Sequence, residues 1–205
     1  MKMYAACLAS YNNGRHHGEW FDLTAYDDAE ELQADIARQV LVTSKFPNVF
    51  VECPCCEGSG AITEGGFKLD DCGQCLGRGT VPSSEEWAAH DYDGEGLNQF
   101  GEYPNLEKLL EHVRLVEEHG DAWLAYVEWI GENNASEENF EDCHLGDCEN
   151  AEAYFTEQLE ESGELREIPQ HLRGYFDFAG YARDQELNGH YVFVEYGGTT
   201  YVFTN

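Results

Sequence analysis

Two short cysteine motifs constrain this chain more than any other feature. Cys53-Pro54-Cys55-Cys56-Glu57-Gly58-Ser59-Gly60 and Cys72-Gly73-Gln74-Cys75-Leu76-Gly77-Arg78-Gly79 share the pattern C-x-x-C-x-G-x-G, with fifteen residues between Cys56 and Cys72. A pair of such knuckles can set four thiolates tetrahedrally around one Zn²⁺. The glycines let the backbone fold back and offer N–H groups to sulfur. The expected ligands are Cys53, Cys56, Cys72 and Cys75, holding one structural Zn²⁺; four thiolates leave no open position for catalysis. Cys55 lies inside the first knuckle, but the C-x-x-C spacing favours Cys53 and Cys56. Free or redox-active thiols are the alternative reading.

The pattern resembles the knuckles of DnaJ-type chaperones, which use four copies for two zinc ions. Two copies here imply one ion. Eight cysteines in a chain with no recognisable export signal point to thiols and metal rather than disulfides. Between Cys53 and Gly79 the only basic residues are Lys68 and Arg78, against Glu57, Glu64, Asp70 and Asp71. Such a segment is poorly suited to DNA. It either organises a loop or presents a protein-binding surface.

Charge is the second constraint. Asp and Glu number 41 against 11 Lys and Arg, a formal charge of −30. With 42% hydrophobic and 13% aromatic residues the chain is too apolar for a disordered acidic tail. So large a charge opposes compaction by self-repulsion. It repels nucleic acid and anionic membranes and attracts basic surfaces, including grooves that hold DNA. No stretch approaches the roughly 20 apolar residues of a membrane helix, and a cytoplasmic location is expected.

Periodicity divides the chain into three regions. Residues 1–103 read as an α+β domain with a zinc-knuckle insertion at about 45–82. Tyr4–Ala9 suits a buried strand, Asn13-Gly14 a turn, and Gly18–Leu23 a second strand. Asp27 starts a helix with Glu30 completing a capping box, and Ala29, Leu32, Ile36, Ala37 and Val40 form its apolar stripe. Residues 85–92 read as a third strand. Residues 104–135 read as a central helical domain, with Asn105 and Asp121 as N-caps. Residues 136–205 read as an α+β domain: a helix capped by Asn150 and stopped by Gly163, a short helix near Pro169, a helix within Phe176–Leu187, and a hairpin of Tyr191–Tyr196 and Thr200–Thr204 around Gly197-Gly198. Trp20, Trp87, Trp123 and Trp129 are expected to fill the cores.

Other motifs carry less. Asp91-x-Asp93-x-Glu95-Gly96, then Glu102, nearly fits a calcium loop. Pro104 obstructs an exiting helix, however, and Asn98 replaces the usual apolar residue, so an acidic loop is the favoured reading. Cys143 and Cys148 are too loosely spaced for a site without a second pair. No phosphate loop, nucleophile elbow or histidine pair appears, and the chain is not expected to be an enzyme.

Several segments together resemble the ArdA family of antirestriction proteins. They are Ala9–Gly14 leading to Gly18–Leu23, the acidic helix from Asp27 to Val40, Glu86–Tyr92, and above all Tyr175-Phe176-Asp177-Phe178-Ala179-Gly180-Tyr181-Ala182-Arg183-Asp184 running into Gly189–Phe193. The zinc segment departs from the usual family pattern. The resemblance implies an α+β fold of three small domains with antiparallel sheets in an elongated, curved chain. It also implies a homodimer formed through C-terminal regions, carried by a mobile genetic element in a bacterial host. The implied activity is competitive inhibition of type I restriction–modification enzymes by an acidic DNA mimic that does not itself bind nucleic acid. Candidate contact residues are Asp27, Asp28, Glu30 and Glu31; Glu107, Glu111, Glu117 and Glu118; Glu137, Glu138, Glu141 and Asp142; and Glu157, Glu160, Glu161 and Glu164. A zinc-ribbon adaptor that recruits a partner protein, with acidity serving solubility, is the competing function.

Overall fold

The computed structural model describes residues 1–65 and 67–205. The fold is α+β, with several small antiparallel sheets, and divides into two compact units, Met1–Arg114 and Leu115–Asn205.

In the first unit, β1 (Lys2–Cys7) is the middle strand of a three-stranded sheet, and α1 (Leu8–Asn12) follows at once. Met3, Ala5 and Cys7 alternate onto the buried face. The strand stops earlier than its apolar pattern predicts because Cys7 Sγ accepts the Ser10 N–H and caps α1. β2 (Gly18–Asp22) pairs with one edge of β1, and β7 (Trp87–Asp93) pairs with the other. Helix α2 (Ala29–Ile36) begins at Asp28, whose carboxylate accepts the Glu31 N–H at 2.7 Å. The cap is thus one residue beyond Asp27, the position expected from sequence. A π-helical turn, Ala37–Leu41, extends α2 and buries Val40 and Leu41 together. Leu32, Ile36 and Val40 pack with Met3, Phe21, Leu23 and Leu97. Burial of each such side chain contributes about 1.5–3 kcal/mol.

The inserted segment leaves this core as a ribbon of β3 (Val49–Glu52) and β6 (Thr80–Ser83). Between them lie β4 (Ala61–Glu64) and β5 (Phe67–Asp71), a second two-stranded ribbon. The root is tied down where Ser84 N–H donates to Leu41 O at 3.0 Å and Asn48 N–H to Ser83 O at 2.9 Å. Asp91, within the strand expected at 85–92, and Asp93, read as part of an acidic loop, lie on β7 opposite Tyr4 and Lys2. Helix α3 (Leu106–His119) starts at Asn105, whose side chain accepts the Lys108 N–H. Its Leu109, Leu110 and Val113 complete the first core.

The second unit contains α4 (Asp121–Ile130), α5 (Glu137–Cys143), β8 (His144–Cys148), α6 (Ala151–Glu161), α7 (Glu164–Glu167), α8 (Phe178–Leu187), β9 (Tyr191–Tyr196) and β10 (Thr199–Thr204). Strand β10 is central, between β8 and β9. Helix α4, set in a central region by its sequence pattern, buries Trp123 and Tyr126 with Phe140 and Phe203 and so shares its core with the C-terminal strands. Asp121 is the first residue of α4 rather than its cap, which is Gly120. No helix forms at Pro169 itself; α7 precedes it and a 3₁₀ turn, Arg173–Tyr175, follows. Of the four tryptophans, Trp123 is fully buried, whereas Trp20 is 46% exposed and lies against Tyr4. Among the described residues no helix is long and apolar enough to cross a membrane.

Candidate metal centre and acidic surface

The four expected cysteines converge. The Sγ atoms of Cys53, Cys56, Cys72 and Cys75 all lie within 4.8 Å of one another, and Cys53–Cys72 and Cys56–Cys75 are each 3.8 Å apart. Tetrahedral Zn–S bonds of about 2.3 Å require sulfurs about 3.8 Å apart, so this donor set fits a zinc ion. Among the described residues it is the only such group of three or more potential ligands. Cys55 stays exposed at the edge of the cluster.

Each knuckle is built the same way. Gly60 N–H donates to Cys56 Sγ at 3.2 Å, and Gly79 N–H donates to Cys75 Sγ at 3.3 Å. Both glycines adopt left-handed φ, +70° and +74°. The knuckles press backbone to backbone: a Cβ on Gly60 would lie 2.5 Å from Gly77 O, and one on Gly79 would collide with Gly58 O. A glycine is therefore needed at both places for conformation and for space. Val42, Val51 and Val81 pack beneath the sulfurs and keep water from one side.

The thiols differ in acidity. Backbone N–H groups of Cys75 and Gln74 hold the Cys72 thiol down at about 6, whereas burial pushes Cys56 up to about 11. Zinc would supply the positive charge that lets all four ionise together.

The insert also carries features that the sequence reading missed. All of β5 is exposed, and Phe67, Leu69 and Leu76 are 78%, 62% and 71% accessible. The alternation in Phe67-Lys68-Leu69-Asp70 ordinarily signals a half-buried strand. The available signal was the shortage of apolar residues in the rest of the segment to cover it.

The candidate carboxylates do not form one compact site. Asp27 and Asp28 precede α2, the rest are distributed over α2, α3, α5, α6 and α7, and all are exposed except Glu137, which is half-buried. Glu107/Glu111, Glu137/Glu141, Glu138/Asp142 and Glu157/Glu161 are like charges four residues apart on helices. Each such pair costs an isolated helix about 0.2–0.5 kcal/mol. Carboxylates in the first turn of a helix, as at Glu30, Glu31, Glu107, Glu137 and Glu138, recover part of this from the helix dipole.

A family model described as antirestriction protein (ArdA) matches residues 3–200. The chain belongs to the ArdA family. The match runs from β1 into β10 and encompasses the zinc-knuckle segment, so this member carries its cysteine cluster within the ArdA fold. An antirestriction role follows for the chain, with restriction–modification enzymes as its partners. No curated protein matches the sequence.

Proposed function

We propose that this ArdA protein inhibits type I restriction–modification enzymes by occupying their DNA-binding groove as an acidic mimic of DNA. The exposed carboxylate set carries the reading. Duplex DNA presents about one negative charge per 1.7 Å of axis. Carboxylates four residues apart on α3, α5 and α6 are spaced about 6 Å along the helix axis. Lysines and arginines that neutralise phosphates can be neutralised by such a surface. The protein offers no base to methylate and no backbone to cut, so it competes without turning over.

The retained cost of the like-charge pairs supports use of the charge rather than incidental acidity. In this reading the protein works as a homodimer in the cytoplasm of a bacterial host and holds one structural Zn²⁺ at Cys53, Cys56, Cys72 and Cys75. It is not an enzyme.

The test is competition for a type I methyltransferase core bound to fluorescent target DNA, at low and moderate salt. Salt-sensitive displacement, with no binding of the ArdA protein to DNA, is expected. No displacement at micromolar protein overturns the proposal. The zinc-ribbon adaptor is the second reading, favoured by the exposed apolar side chains of the insert. Replacing residues 46–82 with a short linker leaves a salt-sensitive displacement of DNA under mimicry and abolishes function if the insert is the sole recognition element.

A further inference from the structure

The hairpin β4–β5 has no evident reason to be apolar if it serves only to close the metal site. Ile62, Phe67 and Leu69 are 40%, 78% and 62% exposed on a ribbon of only two strands. A two-stranded ribbon is marginal in water by itself. Here it is held at its base, where Cys72 N–H donates to Gly60 O at 2.9 Å and Ala61 pairs with Asp71 directly beside the knuckles. The cysteine cluster therefore presents the apolar side chains on a fixed stem. Exposed aliphatic and aromatic side chains within a polar rim mark protein contact sites.

The charge around these side chains selects the partner. Glu64, Asp70 and Asp71 share the hairpin with a single cation, Lys68, whose Nζ donates to Asp71 at 2.6 Å. Arg78, the other cation of the knuckles, donates its Nε–H to Cys75 O. The hairpin is thus an apolar tip in a negative setting on a chain of charge −30. The homodimer is expected through C-terminal regions, a second copy's hairpin would bring the same negative charge here, and an anionic membrane would repel it. A basic protein surface with an apolar recess is complementary in both respects.

We infer that β4–β5 is an apolar anchor that docks into a recess on the basic rim of the target enzyme's DNA-binding groove. This inference rests on the DNA-mimic reading above. The anchor adds a contact that DNA cannot make. Ion pairs distributed over exposed carboxylates weaken with salt, whereas burial of Phe67 and Leu69 does not depend on them.

The experiment titrates wild-type protein and a Phe67→Ser/Leu69→Ser variant into the methyltransferase–DNA complex over a series of salt concentrations. Zinc content is measured on both. The variant is expected to displace DNA about tenfold or more weakly at every salt concentration, with the same slope of log affinity against log salt. A Phe67→Leu/Leu69→Phe variant, which keeps the apolar character, is expected to restore displacement to within about threefold of wild type. Equal affinity of the serine variant and wild type overturns the anchor and leaves the mimic standing. A loss accompanied by a changed salt slope, or one that the apolar swap does not restore, also overturns the anchor. Failure of the wild type to displace DNA overturns the mimic and the anchor together.

Discussion

Cys56 Sγ and Cys75 Sγ lie 3.8 Å apart, one from each knuckle, and each accepts an N–H from the glycine four residues ahead, Gly60 and Gly79. The two halves share one backbone geometry and meet at the sulfurs, so damage to either should be felt by the whole cluster. Purified protein is expected to bind one zinc per chain, measured by metal analysis. Cys56→Ser should abolish stoichiometric zinc. Gly60→Ala should weaken it at least tenfold, because the left-handed backbone and the contact with Gly77 O both exclude a methyl group. Retention of wild-type zinc affinity by Gly60→Ala would refute this account of the knuckle.

Metal removal should act locally. The sulfurs pack with Val42, Val51 and Val81, a cluster separate from the Met3–Phe21–Leu32–Ile36 core. Chelation is expected to expose amide protons of β3–β6 to exchange while those of β1 stay protected. Hydrogen exchange read by mass spectrometry distinguishes this from global unfolding.

His112 makes the first unit sensitive to acid. It is 3% exposed and lies edge-on to Phe100. Burial holds its pKa down at about 4, against a partial upward pull from a hydrogen bond to the backbone of Glu95. Because the folded value lies below the ordinary 6.5, the unfolded chain takes up the proton first. This contribution to stability is complete above about 6.5 and is lost as pH falls toward 4, amounting to about 3 kcal/mol. Urea titrations across this range should show His112→Asn losing less stability than wild type as pH falls. An identical pH dependence in the two proteins would contradict it.

Salt should move folding and function in opposite directions. Screening relieves self-repulsion in a chain of charge −30, so Tm is expected to rise between low and moderate NaCl. The same screening weakens attraction to a basic groove, so inhibition is expected to fall. A binding constant indifferent to salt would argue against carboxylate mimicry.

Single carboxylate replacements should be mild, since an exposed ion pair is worth about 0.2–1 kcal/mol. A Glu137→Gln/Glu138→Gln/Glu141→Gln/Asp142→Asn variant of α5 should lose affinity by an amount comparable to the sum of the singles and show a shallower salt slope. Competition titrations of each single variant and the quadruple check this.

Local chemistry was legible in the sequence, and long-range packing was not. The cysteine cluster is written in spacings of three and four residues, so its ligands and glycines could be read before any fold was known. Asn105 and Asn150 cap the helices that their side chains announce, through bonds to Lys108 N–H and Ala153 N–H. The errors arise where neighbours compete. Asp27 and Asp28 are chemically equal candidates for one cap, and the fold uses Asp28. Cys7 looks like strand but ends it, because its sulfur caps the following turn. Asp93, read as loop beyond the third strand, sits on that strand because β1 supplies a pairing edge from more than eighty residues away. Trp20, despite its size, is half outside, since β2 is an edge strand with one face open.

The ribbon β3–β6 also shortens the distance along the chain that separates β1 from β7. Strand β1 must find β7 across the whole intervening chain, and the entropy of closing a loop rises with its length. When Ser84 is already joined to Leu41, most of that chain is short-circuited, and β7 arrives beside β1 with only α1, β2 and α2 left to arrange. The metal-binding segment would then be a timing element as well as a structural one: a protein made under zinc starvation should reach its native sheet more slowly, even where the finished core is the same.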